Sequence, residues 1–267
     1  APDGPNDAFV DKLSWGKEKW FKYWETEHKA ARNDCIVMDM SFMSKFLVEG
    51  KDAGAFLNMI SANNVNSKTN MITYTQWLND EAKLEADLTV TKLSETKFLV
   101  VVTDTMHGHA HAWMTKNLMT RMKDAHVVIT EANSLFGQLN IQGPKSRDLL
   151  QSLTDADLSN KAFPFRTARE ISIGKARVLC IRITYVGELG FELYIPSEQA
   201  VHVYDQIVAV GDKHSLKHAG LKALGSLRME KAYKDYGHDI DNTDTVFEGG
   251  LGFAVDFKKS DEFIGRK

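Results

Sequence analysis

The stretch that decides the fold is YVGELGFE, at residues 185–192, where two glycines stand three positions apart. Residues 176–184 before it and 190–195 after it are rich in strand-forming side chains, which predicts two strands joined by a tight turn. Gly187 and Gly190 allow the backbone to come close to a ligand. Glu188 lies at the turn and Glu192 on the returning strand. The pattern alone fits a ligand-binding hairpin and a surface hairpin with charged side chains equally well.

The rest of the chain can be laid over itself without a gap when it is shifted by 93 residues. Residues 46–50 (FLVEG) then lie over residues 139–143 (LNIQG), and residues 84–90 lie over residues 177–183. A long internal period predicts repeated supersecondary units, here two copies of a strand-rich α/β unit. The alternative is a chance match between two α+β stretches. Two copies would favour a pseudo-symmetric fold with a ligand between the halves.

The hydrophobic periodicity predicts the elements of these units. Helices are expected over residues 17–32, 53–60, 106–122, 197–210 and 221–233, with a further helix opened by Gly143-Pro144. Strands are expected over residues 35–40, 45–48, 71–78, 84–93, 98–102, 126–130, 135–141, 171–173, 176–184 and 190–195. Residues 1–14 look like a loose leader.

Composition excludes several classes of protein. The chain has 267 residues, a formal charge of −3, 43% hydrophobic residues and 26% charged residues, which are ordinary values for a globular protein. The charge balance argues against nucleic acid as a partner, because phosphate binding requires a basic face. No apolar run approaches the roughly 20 residues of a membrane span, so we expect a soluble protein with no membrane partner. The two cysteines, Cys35 and Cys180, are expected to be free thiols.

The common catalytic motifs are missing from the sequence. It has no G-x-G-x-x-G after an early strand, no P-loop and no G-x-S-x-G nucleophile elbow. His107, His109 and His111 form a dense cluster, but no third ligand type accompanies them and HExxH spacing is missing. We therefore expect a polar helix start there, and no metal site.

Asp87 is a carboxylate within an otherwise alternating strand. If Leu84, Ala86, Leu88 and Val90 face one way, Asp87 faces the other way. A site carboxylate and a strand carboxylate that faces solvent fit this placement about equally.

These motifs occur together in one known family. Residues 185–192 resemble the Y-x-G-E-x-G-[FY]-E signature of the glycine-cleavage T-protein (aminomethyltransferase) family. Further resemblances are DMS at residues 39–41, IQGP at 141–144, LRMEK at 227–231 and YGHD at 236–239. The matches cover most of the chain in the family's order, so the resemblance implies the T-protein fold for all of it.

The most similar branch is the folate-binding region of sarcosine and dimethylglycine dehydrogenases. The stretches that point there are WF at residues 20–21, TYTQWLN at 73–79, EADLTV at 85–90, FEGGLGF at 247–253 and FIGR at 263–266. In such enzymes a flavin domain precedes this region and a small β-rich domain follows it. The resemblance thus implies a piece of a longer enzyme, with a short stand-alone homologue as the alternative.

The resemblance also implies a tetrahydrofolate site between the halves. A pterin presents a ring N–H beside an amino group, which one carboxylate can accept as a bidentate pair. Glu192 is the first candidate for this role and Glu188 the second. Asp87, the one catalytic residue expected, would lie by N5 and N10, where it can orient the nucleophilic nitrogen and take up its proton.

The remaining cofactor-binding residues also follow from the resemblance. Tyr74 and Tyr185 match family positions and would form aromatic walls for the folate rings. Val101 and Thr103 would line the same site. Arg228 would meet the carboxylates of the folate tail.

Three positions depart from the T-protein pattern. Ala86 stands where T-proteins usually carry a second Asp, Thr103 where the family has Asn, and Leu224 where an Arg is expected. These changes fit the dehydrogenase branch better than transfer from a lipoyl-bound aminomethyl group. They also fit a chain that has lost the chemistry.

The sequence therefore predicts an α+β fold of the T-protein type, pseudo-duplicated into two interleaved strand-rich α/β halves. Residues 1–49 and 134–257 would form the first half, residues 50–133 the second, and residues 258–267 the start of a missing C-terminal β domain. We expect a tetrahydrofolate-dependent transferase that captures formaldehyde or an iminium from N-methyl amine oxidation as 5,10-methylenetetrahydrofolate. The alternatives are a stand-alone aminomethyltransferase or demethylase, and a non-catalytic regulatory relative.

The expected partners follow from that reaction. They are folate, a one-carbon donor derived from a small N-methyl amine, and an upstream flavin domain or subunit, with no flavin bound by this chain. The bacterial cytoplasm or the mitochondrial matrix is the expected compartment.

Overall fold

Two β-sheets pack face to face, and helices cover the outer face of each. A computed structural model describes residues 15–260 and 262–266, so the predicted leader at residues 1–14 lies outside the described residues. The first sheet has the order β11 (Leu216–His218), β1 (Cys35–Asp39), β7 (Phe136–Gln142), β10 (Gly190–Pro196), β9 (Ala176–Ile181) and β8 (Ala168–Ile173). The second has the order β3 (Ile72–Leu78), β4 (Leu84–Ser94), β5 (Lys97–Val102), β2 (Ser44–Glu49) and β6 (Val128–Glu131). Neighbouring strands are antiparallel, except that β1 and β11 are parallel.

The helices bury the outer faces of the sheets. Helices α2 (Ala53–Ile60) and α3 (His107–Arg121) contribute Phe56, Leu57 and Met114 to one core against the second sheet. Helices α4 (Ser146–Gln151) and α5 (Ala200–Gly211) form the corresponding core on the first sheet. Helices α1 (Phe21–Asn33) and α6 (Leu221–Met229) pack together beside β1. No described helix has both the length and the apolar character that crossing a membrane requires.

Two glycines mark equivalent turns in the two sheets. Gly50 follows β2 with φ +136°, and Gly143 follows β7 with φ +118°. A Cβ at Gly50 would lie 2.0 Å from the His126 carbonyl oxygen, and one at Gly143 would lie 2.5 Å from the Asp34 carbonyl oxygen. Only glycine fits such a backbone conformation and such a close approach. The chain then enters α2 after the first turn and α4 after the second.

The strand order of the two sheets is the same once β11 is set aside. The second sheet reads β6-β2-β5-β4-β3 and the first reads β1-β7-β10-β9-β8. A shift of 93 residues carries β2 onto β7, β5 onto β10 and α3 onto α5. The same shift carries β1 onto β6, yet β1 pairs with β7 and β6 pairs with β2. Strand β1 therefore lies in the sheet that contains β7, and β6 lies in the sheet that contains β2, so each joins the sheet built mainly from the other stretch of chain.

The division of the chain at residue 49 stays a prediction. Strand β2 lies before that boundary and pairs with β5 and β6 in the second sheet. Sheet membership thus changes between Asp39, the end of β1, and Ser44, the start of β2.

Two local expectations differ from the structure. The helix expected over 221–233 ends at Met229. Ala232 has φ +56°, and this turn lets the Tyr233 carbonyl accept a hydrogen bond from Arg228 and its ring stack on Tyr185. The sequence did not predict strand β11. Its three residues are extended because they pair in parallel with β1, a strand that is distant in the sequence.

Candidate functional site

The space between the two sheets contains an apolar cluster bordered by polar side chains. Val101 of β5 and Tyr194 of β10 belong to this cluster. Strand alternation directs Asp87 to the same side as Thr89, which pairs with Val101. Glu192 faces the same side of β10 as Tyr194, which is two residues further along the strand. The two carboxylates therefore face the inter-sheet space from opposite sheets.

Asp87 is half-buried and is the fourth residue of β4, and it faces the side of the strand that the alternation predicted. Gln76 Nε2 donates a hydrogen bond to Asp87 Oδ1 at 2.8 Å, and the Tyr74 hydroxyl donates to the same carboxylate. Burial raises the pKa of Asp87 to about 6, against the opposite effect of the two hydrogen bonds, and the Asp235 carboxylate adds to the rise. A carboxyl with such a pKa can exchange a proton near neutral pH.

Gln76 is an orienting residue that the sequence did not reveal. Its side chain is fully buried, and its Oε1 has no hydrogen-bond partner among the residues that the structure describes. A buried acceptor without a partner is unusual in a native protein. An orphaned polar atom beside an accessible carboxylate fits a site that receives polar groups of a ligand.

Glu192 is the second half-buried carboxylate. Tyr194 donates to Glu192 Oε2 at 2.8 Å, and Asn140 Nδ2 lies 3.4 Å from Oε1. Gln138 donates in turn to Asn140 Oδ1 at 3.3 Å. Burial raises the pKa of Glu192, while Tyr194, Asn140 and the Lys45 ammonium act to lower it. The donors fix the carboxylate in one orientation and leave part of it accessible.

Tyr185 and Arg228 lie on the Asp87 side of the site. Tyr185 stacks on Tyr233 with 6.2 Å between ring centroids, and its hydroxyl donates to the Lys234 carbonyl. Arg228 is 7% exposed; it forms an ion pair with Asp239 and lies 3.5 Å from Asp235. The predicted contact of Arg228 with a folate tail would have to be shared with these two carboxylates.

Glu188 faces away from the inter-sheet space, towards α1 and α6. Its Oε1 lies 3.1 Å from Arg32 and 3.8 Å from Lys231. Arg32 also donates to the carbonyls of Val186 and Leu227, so this ion pair ties the loop 182–189 to the two helices. This placement favours Glu192 over Glu188 as a ligand-binding carboxylate.

The other two predicted residues follow one another along the chain. Val101 is buried among the inter-sheet residues. Thr103 follows β5, is half-buried, and donates to Asp104 Oδ1 at 3.2 Å.

An exposed aromatic ring extends the site outwards. Phe253, 78% exposed, stacks on Tyr74 with centroids 6.1 Å apart. It lies within residues 247–253, a stretch that the sequence singled out without assigning a role to this ring. Together with Tyr74 it offers a flat apolar surface that leads towards Asp87.

Two histidines of the cluster each contact a single carboxylate. His109 Nε2 lies 2.9 Å from Glu85 Oε2, and His107 Nε2 lies 3.3 Å from Glu131 Oε1. Within residues 15–260 and 262–266, no group of three or more His, Cys, Asp or Glu side chains is arranged to hold a metal ion.

Comparisons with known proteins give one family and several relatives. The family model described as the GCVT N-terminal domain matches residues 6–259. An aminomethyltransferase of Alkaliphilus oremlandii is 36% identical over 259 residues, which cover 96% of this chain and 68% of the relative. A 4-methylaminobutanoate oxidase (formaldehyde-forming) of Paenarthrobacter nicotinovorans is 35% identical over 262 residues, which cover 98% of this chain and 31% of the oxidase.

A solved structure has the same fold. The glycine cleavage system aminomethyltransferase T from Bartonella henselae gives a TM-score of 0.79 at 26% identity. The match covers 91% of this chain and 64% of that one. The chain thus spans under two thirds of that transferase, and less than a third of the oxidase.

Proposed function

From the premise that the chain belongs to the GCVT N-terminal domain family, a family of folate-dependent aminomethyltransferase-type domains, we propose that it transfers a one-carbon unit to tetrahydrofolate. The family comparisons confirm the predicted T-protein resemblance, including its amine-oxidising branch, and the mixed α/β fold with two sheets is of the T-protein type. We propose further that the unit is formaldehyde, or an iminium from an oxidised N-methyl amine, and that the product is 5,10-methylenetetrahydrofolate.

The observation that carries this proposal is the pair of accessible carboxylates on facing sheets. Glu192 is oriented by Tyr194 and Asn140, so its free lone pairs can accept the ring N–H and the amino group of a pterin. The aromatic surface of Tyr74 and Phe253 suits a flat ring. The orphaned Gln76 Oε1 shows an unsatisfied polar position in the same region.

Asp87 is proposed as the proton acceptor. Tetrahydrofolate supplies nucleophilic nitrogens that accept the one-carbon unit. Each nitrogen loses a proton as its bond to carbon forms, and the formaldehyde oxygen leaves as water, or the amine of the iminium leaves as free amine. A carboxylate with a pKa of about 6 is ionised at neutral pH, so it can take a proton from the nitrogen and pass it to the leaving group. Gln76 and Tyr74 hold Asp87 in place by hydrogen bonds.

The other predicted ligands stay proposals with defined neighbours. Tyr185, Val101 and Thr103 would line the site beside Tyr74. Arg228 would contribute positive charge near the folate tail while it remains paired with Asp239. Glu188 is the second choice for the pterin, because Arg32 already binds its carboxylate.

The shared strand order supports a second proposal, that the two sheets arose as a pseudo-duplication with interleaved halves. We retain the division into residues 1–49 with 134–257, residues 50–133, and residues 258–267 as part of this proposal. We also propose a flavin domain or subunit as a partner. The proposed compartment is the cytoplasm or the mitochondrion. This chain covers 31% of the amine-oxidising relative, which leaves room in that protein for further domains, and we propose that a flavin domain is one of them.

One relative favours a second candidate function. The Alkaliphilus oremlandii protein is called an aminomethyltransferase, and the chain covers 68% of it. Transfer of an aminomethyl group, instead of free formaldehyde, is therefore the alternative reaction. A regulatory relative without chemistry is the remaining candidate.

Calorimetric titration with tetrahydrofolate under reducing, oxygen-free conditions tests the proposal. We expect saturable binding in the micromolar range. When formaldehyde is then added, 5,10-methylenetetrahydrofolate should form faster than it does without the protein. A donor series then tests direct capture. Formaldehyde should support product formation by the chain alone, whereas sarcosine and dimethylglycine, whose methyl groups must first be oxidised, should support it only when a flavin-dependent dehydrogenase is supplied. The absence of binding at high micromolar concentration would contradict the proposal and favour the regulatory alternative.

A further inference from the structure

Lys45 is a buried cation with no role in the reaction described above. It lies on β2 and is 0% exposed. Its Nζ donates to the carbonyl oxygens of Ser41 at 3.0 Å and Met43 at 2.8 Å. A buried ammonium is costly unless it is paired, because it loses its hydration. Two neutral carbonyls are a sparse environment for a full charge.

Strand alternation directs Lys45 towards the first sheet. Phe46 and Val48 belong to the outer core beneath α2 and α3, whereas Leu47 belongs to the inter-sheet cluster. Lys45 shares the side of Leu47 and pairs with Val101. It therefore faces the carboxylate of Glu192 across the space between the sheets, and the two charges attract each other.

The charged and titratable groups around this pair are few. Strand β1 contributes Asp39, whose charge acts on Lys45. Strand β10 contributes Tyr194, whereas the Cys180 thiol of β9 lies on the outer face of the sheet, in the core with α4 and α5. Burial raises the pKa of both groups. Strand β7 contributes the neutral amides of Gln138 and Asn140. The Lys45 ammonium is the full positive charge that acts on Glu192 from the opposite sheet.

We propose that Lys45 is a positioning residue for folate, which holds Glu192 as a carboxylate and so couples pterin binding to the packing of the two sheets. The inference rests on the proposed function and deepens it. An ionised carboxylate accepts both the ring N–H and the amino group of a pterin. A protonated Glu192 would present an O–H to one of those donors, and one of the two hydrogen bonds would be lost.

The charge of Lys45 is itself sensitive to pH. Burial lowers the pKa of Lys45 to about 8, while Glu192 and Asp39 act in the opposite direction. Below that pH the ammonium is present and favours ionised Glu192, so its effect belongs to the acid side of the profile, where Glu192 takes up its proton. Loss of the ammonium at higher pH leaves Glu192 ionised, because a carboxyl stays deprotonated in alkaline solution.

The test measures the dissociation constant of 5-formyltetrahydrofolate, a stable analogue, between pH 5.5 and pH 9.5. Wild-type affinity should fall on the acid side, as Glu192 becomes protonated. In Lys45→Met this acidic limit should move up by about one pH unit, so that binding below the wild-type limit is roughly tenfold weaker, because an opposite charge shifts a carboxyl by one unit or more. Lys45→Arg, which stays charged, should keep the wild-type limit.

Lys92→Met is the matched control. Lys92 is a lysine of the second sheet that is 3% exposed, and it pairs with Glu95 away from Glu192. Its substitution should lower thermal stability without moving the acidic limit of the pH profile. A Lys45→Met profile that equals the wild-type profile overturns the role of Lys45. Failure of the wild type to bind the analogue at any pH instead overturns the proposed function. If Lys45→Met does not fold, the neutral variant Lys45→Gln takes its place, and an acidic limit equal to that of the wild type again overturns the role of Lys45.

Discussion

The two half-buried carboxylates of the inter-sheet space differ in their surroundings. Glu192, on the first sheet, has a donor at each oxygen and a lysine ammonium facing it. Asp87, on the second sheet, has two neutral donors, and the charge of Asp235 opposes its ionisation. Burial acts against ionisation at both positions. The comparison shows how a nearby cation favours a carboxylate that stays ionised, which suits binding. A buried carboxylate without such a cation can take up and release a proton.

The largest expected effect is on the transfer rate of Asp87→Asn. If Asp87 takes the proton, its loss should lower the rate of methylenetetrahydrofolate formation by about 10²- to 10⁴-fold, the usual contribution of general base catalysis. The amide can still accept from Gln76, so the fold and the dissociation constant of folate should change little. Rate and affinity are measured on the same preparation. Transfer at the wild-type rate would show that Asp87 is not the proton acceptor.

The next effect is on the folate affinity of Glu192→Gln. The amide has one acceptor and one donor group, so a pterin would lose a charge-assisted hydrogen bond. We expect a dissociation constant about 10- to 100-fold higher. Glu188→Gln is the matched control, because it removes a carboxylate held by Arg32 outside the inter-sheet space and should change affinity by less than about twofold. If Glu188→Gln weakened folate binding more than Glu192→Gln does, the pterin contact would have to be assigned to Glu188.

The smallest effect is on stability, again through Asp87. Its pKa in the folded protein, about 6, is higher than that of an ordinary Asp, so the native state binds the proton more tightly than the unfolded chain does. The contribution of this group to the free energy of unfolding therefore falls as the pH rises from about 4 to 6, and it stays low above pH 6. Asp87→Asn removes that cost and should be more stable than the wild type by about 1 to 2 kcal/mol at pH 7.5.

Urea unfolding at several pH values measures this difference. The advantage of the variant should be small at pH 4 and constant above pH 6.5. A variant that is less stable than the wild type at pH 7.5 would mean that the hydrogen bonds of the carboxylate outweigh the cost of its burial. Asp87 would then resemble Glu192, and the contrast between the two carboxylates would disappear.

Local patterns in the sequence predicted much of the fold. The alternation around Asp87 predicted its strand and its facing, and the Gly143-Pro144 turn predicted the start of a helix. Pairing between distant strands was not predictable in the same way. A shift of 93 residues matches elements to one another, but it carries no information on which sheet receives β1 or β6.

The candidate site was predictable where a motif named its residues. Asp87, Glu192 and Tyr74 came from recognised stretches, and the structure places all three on the inter-sheet face. Lys45, Gln76 and Asn140 were missed, because a polar side chain in a strand is usually solvent-exposed. The available signal was alternation: Gln138, Asn140 and Gln142 share one face of β7, opposite Leu139 and Ile141. Only the packing of the second sheet shows that this polar face is buried.

The pairing of β1 with β7, which lies far along the chain, has a consequence for folding during synthesis. Strand β1 cannot pair with β7 until the ribosome has made β7, since Ile36 pairs with Gln142. At about 5 to 20 residues per second, a ribosome needs roughly 5 to 20 s to make the chain between them. During that interval β1 is an apolar strand with both edges unpaired, which is a hazard for aggregation. Helix α1, made just before it, contributes Ala30 and Ala31 to the cluster that contains Ile36 and Met38. Helix α1 is therefore the element, already synthesised at that stage, that can shield one face of β1 before β7 is made.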